Sequence, residues 1–235
     1  PDVNTDVLSR FGFRFEKGNT HAARSMMLDE LQALFSCVRN PEAVKSDYRK
    51  AIIDENCLGK RSEETRKITA MHLGFLYGLD PSITIFRALR FFWDRDAVGR
   101  PLLALLSAYS RDGLVRTSAP IVLSLTEGQV FRREALEEFI HKDDPNRFSD
   151  VSLRAVVRNL GATWTKSGHL VEKTTKIRTR VTPTAGTVSY ALFLGYLCGV
   201  RGEALFSTEF ARLFDSSSAR LMELAEEASR RGWIV

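Results

Sequence analysis

The sequence predicts a mainly α-helical fold with one small β-hairpin. Apolar residues recur at helical spacing through most of the chain, and capping residues or prolines stand where these segments begin. Strict alternation of residue types is confined to two short stretches, 11–15 and 176–181. Hydrophobic residues make up 44% and charged residues 27% of the 235 residues, so a sizeable core is available.

The first part of the chain, residues 1–112, is predicted to form a helical bundle. The alternating residues 11–15 (FGFRF) indicate a short strand, which ends at a turn over residues 17–19. Ser62 is a typical N-cap, and acidic residues follow it in the first turn of its helix. The helices expected in this part are 21–39, 42–56, 62–77, 82–94 and 101–111.

Gly113 marks a predicted boundary, and residues 116–235 are assigned to a second domain. Its first elements are helices 116–125, 132–142 and 150–166, then a hairpin with strands 169–173 and 176–181. Ser149 is a suitable N-cap for the third of these helices. Three helices followed by a β-hairpin are the parts of a winged helix-turn-helix domain. The remaining predicted helices are 187–198, 203–214 and 217–231.

The net charge of +5 is concentrated in one stretch of the chain. Residues 149–184 contain seven basic and two acidic side chains, and the rest of the chain is close to neutral. A surface whose charge served solubility alone would spread that charge more evenly. A local excess of this size is typical of a surface that contacts phosphates, so we expect a nucleic-acid-binding protein.

A helical wheel of residues 151–166 separates an apolar arc from a polar face. The apolar arc contains Leu153, Val156, Val157, Leu160 and Trp164. The polar face has no acidic residue and carries side chains that reach base edges and phosphates, namely Ser152, Arg154, Arg158, Asn159, Thr163, Thr165 and Lys166. The alternative is a solvated polar face, which normally contains Glu and Asp as well. The sequence favours a recognition helix over residues 150–166.

The predicted hairpin adds cations through a different periodicity. In residues 176–181 (KIRTRV), Lys176, Arg178 and Arg180 alternate with uncharged residues, so we expect them on one face of the strand. Together with Lys173 they are predicted to hold backbone phosphates as a basic wing over residues 169–181. Replacing Arg178 and Arg180 by alanine is then expected to weaken binding of all sequences. The alternative is an edge strand whose charges prevent aggregation.

No pattern in the sequence points to an enzyme or a metal site. The four histidines lie in different predicted elements without ligand spacing, and phosphate-loop, dinucleotide and nucleophile motifs are absent. The three cysteines are far apart and odd in number, which suits a reducing cytoplasm. No apolar run approaches the roughly 20 residues that a membrane span requires. We expect a cytoplasmic protein with no catalytic residue, cofactor, metal or membrane partner.

Several motifs resemble the BrxA family of bacterial phage-defence (bacteriophage exclusion, BREX) systems. They are residues 11–18 (FGFRFEKG), 62–67 (SEETRK), 158–170 (RNLGATWTKSGHL) and 190–199 (YALFLGYLCG). The resemblance spans most of the chain. It implies an all-helical protein with a winged-helix part and an N-terminal half similar to the NusB antitermination fold. It also implies binding of double-stranded DNA, no known enzymatic activity, and other BREX proteins as candidate partners.

The hypothesis from the sequence is a non-enzymatic, double-stranded DNA-binding component of a BREX system. An RNA-binding, antitermination-like factor is one alternative, and a protein–protein adaptor within the defence complex is another. Asp94, Asp96 and the pair Asp143 and Asp144 suggest a metal-dependent nuclease as a third, although acidic residues at helix ends and in turns need no catalytic explanation. The oligomeric state and any sequence preference stay open.

Overall fold

The computed structural model describes residues 5–15, 20–172 and 174–235. Within them the chain is mainly helical with a small antiparallel hairpin, which confirms the predicted fold class at this level. The helices are α1 (Thr5–Phe11), α2 (Leu28–Cys37), α3 (Lys45–Ile53), α4 (Glu63–Tyr77), α5 (Thr84–Arg95), α6 (Arg100–Arg111), α7 (Gly113–Leu123), α8 (Arg133–Asp143), α9 (Asp150–Lys166), α10 (Ala185–Leu197), α11 (Glu209–Arg212) and α12 (Ser218–Arg230). The strands are β1 (Leu170–Glu172) and β2 (Lys176–Arg178), and short 3₁₀ turns occupy Thr20–Ala22 and Gly202–Ser207.

Two helices begin where the sequence places their capping residues. The hydroxyl of Ser62 accepts a hydrogen bond from the backbone N–H of Thr65 at the start of α4. The hydroxyl of Ser149 accepts one from the N–H of Ser152 at the start of α9. Both helices also end at the predicted residues, and Gly78, with φ of 93°, provides the stop after α4.

The predicted strand over residues 11–15 is wrong. Phe11 is the last residue of α1, and Gly12 ends that helix with φ of 107°. The next residues form no strand, because the backbone N–H of Arg14 donates to the carbonyl of Ser110 and Phe13 is buried against other helices. Of the alternating aromatic residues Phe13 is buried, Phe11 is half-buried and Phe15 is exposed, so they do not form one buried strand face. The turn predicted for residues 17–19 lies outside the described residues.

The helix predicted for residues 21–39 is divided into a 3₁₀ turn, an irregular stretch and α2. Met27, just before α2, has a left-handed backbone with φ of 52°. Met26 is fully buried, its N–H donates to the Thr163 hydroxyl, and its carbonyl accepts from the Tyr77 hydroxyl. These tertiary contacts replace the hydrogen bonds of a continuous helix.

One hydrophobic core runs through both halves of the chain. The apolar helix α10 packs on α5 and α6 as well as on α12, and its Tyr190 hydroxyl donates to the carbonyl of Ile85 at 3.1 Å. The boundary predicted at Gly113 falls at a one-residue break between α6 and α7, where Asp112 is buried. Residues 1–112 and 116–235 therefore share their core in this structure.

A third extended segment joins the hairpin. The strands β1 and β2 pair antiparallel, and residues 128–131, between α7 and α8, lie along the other edge of β2. Three backbone hydrogen bonds of 2.9 Å make this connection, and Val130 stands opposite Ile177. The sheet holds β1 at the C-terminal end of α9 and so fixes that helix. None of the helices in the described part of the chain has the length and apolar character that a membrane span requires.

Candidate nucleic-acid interface

The apolar arc of α9 is buried, as the helical wheel predicts. Val156, Val157, Leu160 and Trp164 are completely inaccessible to solvent. The indole Nε1–H of Trp164 donates to the hydroxyl of Ser118 in α7 at 2.9 Å, so the polar end of this large side chain is satisfied. α9 is therefore held in a fixed orientation against α7 and α8.

The solvent-facing side of α9 presents two arginines one helical turn apart. Arg154 and Arg158 are both exposed, with exposed Ser152 near them at the start of the helix. In the described part of the chain, no carboxylate lies within ion-pair distance of either guanidinium. Like charges at this spacing repel one another, and a phosphate or a guanine edge would relieve that repulsion.

The other edge of the predicted polar face is covered by residues 20–29, the N-terminal segment. The side-chain amide of Asn159 donates to the carbonyl of His21 at 3.1 Å. The ammonium group of Lys166 pairs with the carboxylate of Asp29 at 2.5 Å. Both side chains are thus partnered within the fold, whereas the sequence predicted that they face an open groove.

A buried hydrogen-bond network holds the N-terminal segment on α9. The His21 ring lies between Asp112, at 2.9 Å from its Nδ1, and Thr163, at 2.7 Å from its Nε2. Burial acts to raise the pKa of Asp112, but the charge and hydrogen bonds of His21 and the N–H of Leu114 outweigh it, so this pKa lies below its usual value. Thr163, predicted on the open face, is completely buried here. The network makes His21 a positioning residue for α9.

The wing prediction is wrong for Arg178, which is only 3% exposed. Its guanidinium pairs with the carboxylate of Asp215. It also donates to the carbonyl oxygens of Val122 at 3.0 Å and His169 at 3.2 Å. The strand face that carries Lys176 and Arg178 packs against helices and not toward solvent, so Arg178 serves to join the sheet to the chain before α12.

Lys176 also faces inward and is partnered. Its ammonium group pairs with Glu172 at 2.8 Å and donates to the hydroxyl of Thr165 at 3.0 Å, and its side chain is 9% exposed. Thr165 in turn donates to the carbonyl of Gly161. Lys176 and Thr165, both predicted to contact DNA, therefore link β2 to α9.

Arg180 keeps the exposure that a phosphate-binding wing requires. Its side chain is 71% exposed and lies 3.5 Å from the carboxylate of Glu127, a surface pair that contributes little to stability. Lys173 lies outside the described residues. Of the predicted wing cations in the described part of the chain, Arg180 is the one available to a ligand.

The sequence interpretation missed the third extended segment and the partner of Arg178. For residues 128–131, the available signal is a glycine followed by Val130 and Phe131, both favourable in strands. For Asp215 no local signal exists, because it is 37 residues from Arg178 along the chain. Both features determine which side of β2 is buried.

Arg178 and Arg180 are expected to respond differently to substitution. Arg178→Met leaves the half-buried carboxylate of Asp215 and the carbonyl oxygens of Val122 and His169 without their donor, so we expect the free energy of unfolding to fall by about 3 kcal/mol. Arg180→Ala is expected to change it by less than about 0.5 kcal/mol but to weaken duplex DNA binding. Urea denaturation and DNA titration of both variants check this. Equal, small stability losses would show that Arg178 is not the buried anchor described above.

His169 makes the stability of the fold depend on pH. The ring is completely buried between the hydroxyl of Ser167 and the carbonyl of Leu213, at 2.9 and 2.7 Å. Burial, the main cause, lowers the pKa of His169 from 6.5 to about 4 even though the Leu213 carbonyl opposes the shift. Between these values the unfolded chain binds a proton that the folded chain does not, so stability is complete above pH 6.5 and decreases toward pH 4.

As the pH is lowered from 6.5 toward 4, we therefore expect the free energy of unfolding to fall faster in the wild type than in His169→Gln. The difference between the two slopes should be about 1.4 kcal/mol per pH unit. Urea denaturation at several pH values across this window measures the difference. Parallel pH dependences in the two proteins would show that His169 does not titrate in this way.

No protein-family model and no curated protein matches this chain. In the described residues, no group of three or more His, Cys, Asp and Glu side chains is arranged to hold a metal ion.

Proposed function

We propose that this protein binds double-stranded DNA through the arginine face of α9, which is formed by Ser152, Arg154 and Arg158. The proposal rests on the position of two arginines of α9. Two exposed guanidinium groups without carboxylate partners in the described residues stand one turn apart on a helix whose opposite side is locked by Trp164. Arginine contacts both phosphates and guanine edges, and a rigidly held helix presents it at little entropic cost.

The elements around α9 support this proposal. The order α7, residues 128–131, α8, α9, β1 and β2, with the segment 128–131 paired to β2, resembles a winged helix. In helix-turn-helix proteins the second helix of the pair lies in the major groove, and here that helix corresponds to α9. The exposure of Arg180, on the chain after β2, supports its proposed role as a flanking phosphate contact.

The dimensions of α9 fit such a contact. An α-helix with its side chains is about 10–12 Å wide, close to the roughly 12 Å of the major groove. Arg154 and Arg158 are separated by about 6 Å along the helix axis, near the span of two base-pair steps of about 3.4 Å each. The spacing therefore matches base pairs two steps apart in the groove.

We extend the proposal to a non-enzymatic role in a BREX phage-defence system, with other BREX proteins as partners, on the basis of the resemblance to BrxA. The similarity of the N-terminal half to NusB belongs to the same proposal. In residues 158–170, the strongest motif, the side chains of Thr163, Trp164 and His169 make buried hydrogen bonds. The motif thus describes how α9 is positioned, and Arg158 at its start is the part that faces a ligand.

Two of the acidic residues that suggested a nuclease have structural partners. Asp96 is buried and accepts hydrogen bonds from the N–H of Gly99 at 3.0 Å and from the hydroxyl of Thr184. Asp94 pairs with Arg90 at 3.4 Å. These contacts support a structural role for both carboxylates.

Competition between nucleic acids tests the proposed function. A labelled DNA duplex bound to the full chain is challenged with unlabelled duplex, single-stranded DNA and hairpin RNA. We expect the duplex to compete best, because the deep, narrow major groove of RNA excludes a helix. Stronger competition by RNA would identify an RNA-binding factor, and the absence of any binding at low salt would identify a protein adaptor. Either result overturns the proposal.

A further inference from the structure

A cleft formed by residues between Arg14 and Arg111, away from α9 in the sequence, is lined by five basic side chains. It lies between α3 and α4, has a volume of about 470 Å³, and is called here the α3–α4 cleft. Its basic residues are Arg14, Lys45, Arg49, Lys67 and Arg111. The described residues that line it include no acidic side chain. A concave surface with this charge attracts anions.

Arg111, one of the residues that line the cleft, is a buried cation without a carboxylate partner in the described part of the chain. It is 5% exposed, and its guanidinium donates to the carbonyl oxygens of Gly12, of Phe75 at 2.8 Å and of Gly74 at 3.3 Å. Burial, followed by the charge of Arg14, lowers its pKa to about 10. Buried charges are normally paired, so this position favours an anion.

The cleft also has an apolar wall and an unused polar group. Met71, Phe75 and Ile83 line it, and the guanidinium of Arg14 stacks over the Phe75 ring at 4.0 Å. Tyr48 lines it as well, and its buried hydroxyl has no hydrogen-bond partner among the described residues. A volume of this size with apolar walls and a few polar groups is typical of small-molecule sites.

We infer that the α3–α4 cleft binds a small organic phosphate. The phosphate would lie among the basic side chains, and the rest of the molecule against Met71 and Phe75. Lys67 pairs with Glu63 at 2.6 Å, whereas Lys45, Arg49 and Arg111 have no carboxylate within ion-pair distance in the described part of the chain. Three such cations match a ligand with two or more negative charges better than a single carboxylate. Arg111 is too deeply buried for a nucleic-acid backbone to reach, which favours a small ligand. The inference is independent of DNA binding, because all of these residues lie outside α7–β2.

Isothermal titration of the full chain with ATP, AMP, pyrophosphate and adenosine tests this inference. We expect at least one phosphate compound to bind and adenosine not to bind. The double variant Lys45→Glu with Arg49→Glu, at two exposed positions of α3, is expected to weaken phosphate binding by about tenfold or more. Arg111 is left unchanged because its contacts hold α4 to the end of α1.

Two controls separate this site from other effects. Lys50→Glu alters the adjacent exposed residue of α3, whose ammonium group pairs with Glu55 at 3.6 Å, and should leave phosphate binding unchanged. Replacement of Arg154 and Arg158 by glutamate should also leave it unchanged, whatever its effect on DNA. The inference is overturned if none of the phosphate compounds binds at millimolar concentration, or if Lys50→Glu weakens binding as much as the double variant does. It is also overturned if the double variant loses duplex DNA affinity while no phosphate compound binds.

Discussion

Replacement of both Arg154 and Arg158 by glutamate is expected to lower the affinity for duplex DNA by about 100-fold or more at low salt. A hydrogen bond to a charged group contributes about 1.5–3 kcal/mol, and each 1.4 kcal/mol corresponds to about a tenfold change in affinity. The reversed charges add repulsion from the phosphates. Because both side chains are exposed and have no ion-pair partner in the described residues, the free energy of unfolding should change by less than about 0.5 kcal/mol. Fluorescence anisotropy with a labelled duplex measures the affinity.

A matched variant distinguishes a specific surface from a general charge effect. Arg220→Glu with Arg230→Glu makes the same change in net charge on α12, where the two side chains are 56% and 70% exposed. We expect this control to lower DNA affinity only slightly. An equal loss in both double variants would show that net charge alone drives binding, and an unchanged affinity in the first would remove α9 from the interface.

Trp164→Ala is expected to lower the free energy of unfolding by about 3–5 kcal/mol. Trp164 is completely buried, and it contacts both Ser118 of α7 and the His169 ring, whose centroid lies 4.9 Å from that of the indole. Its removal leaves a large cavity and deprives the Ser118 hydroxyl of a hydrogen-bond donor. Urea denaturation gives the size of the loss.

Trp164→Phe is the matched control for that prediction. It keeps most of the buried ring but removes the Nε1–H that donates to Ser118, so we expect a loss of about 1–2 kcal/mol. If Trp164→Ala lost no more stability than Trp164→Phe, the packing of α9 against α7 would be looser than the structure indicates.

Local signals in the sequence were sufficient to predict where α4 and α9 begin. Ser149 and Ser62 cap the first turn of their own helices, so the information lies within three residues of the boundary. The apolar arc of α9 was likewise predictable, because a helix with one buried face repeats its apolar residues at a fixed spacing. The class of the fold follows from these signals.

The side of β2 that faces the core could not be predicted in the same way. Alternation predicted one strand face for Lys176, Arg178 and Arg180, but it gives no information on where such a face points. In the structure β2 ends at Arg178, and Arg180 beyond it is exposed. The side of β2 that is buried is determined by contacts with Val122 and Asp215, which are 56 and 37 residues from Arg178. An arginine whose partners lie far away in sequence has the same local pattern as an exposed one.

The partial covering of α9 was also beyond the reach of local patterns. His21 lies 91 residues from Asp112 and 142 from Thr163, yet the three side chains form one buried network. This network removes Asn159 from the surface that is available to DNA. Arg154 and Arg158 therefore remain the main exposed polar contacts of α9, and we propose that they position the protein on the phosphate backbone.

A salt titration of duplex DNA binding is the most direct test of the central claim that α9 contacts phosphates. We expect log K to fall linearly with log salt concentration, with a slope of about −0.9 for each phosphate contact and a total of about −2 to −4 for the wild type. The slope for Arg154→Ala with Arg158→Ala should be shallower by about 2. A wild-type affinity independent of salt, or equal slopes for the wild type and the double variant, would contradict the proposed interface.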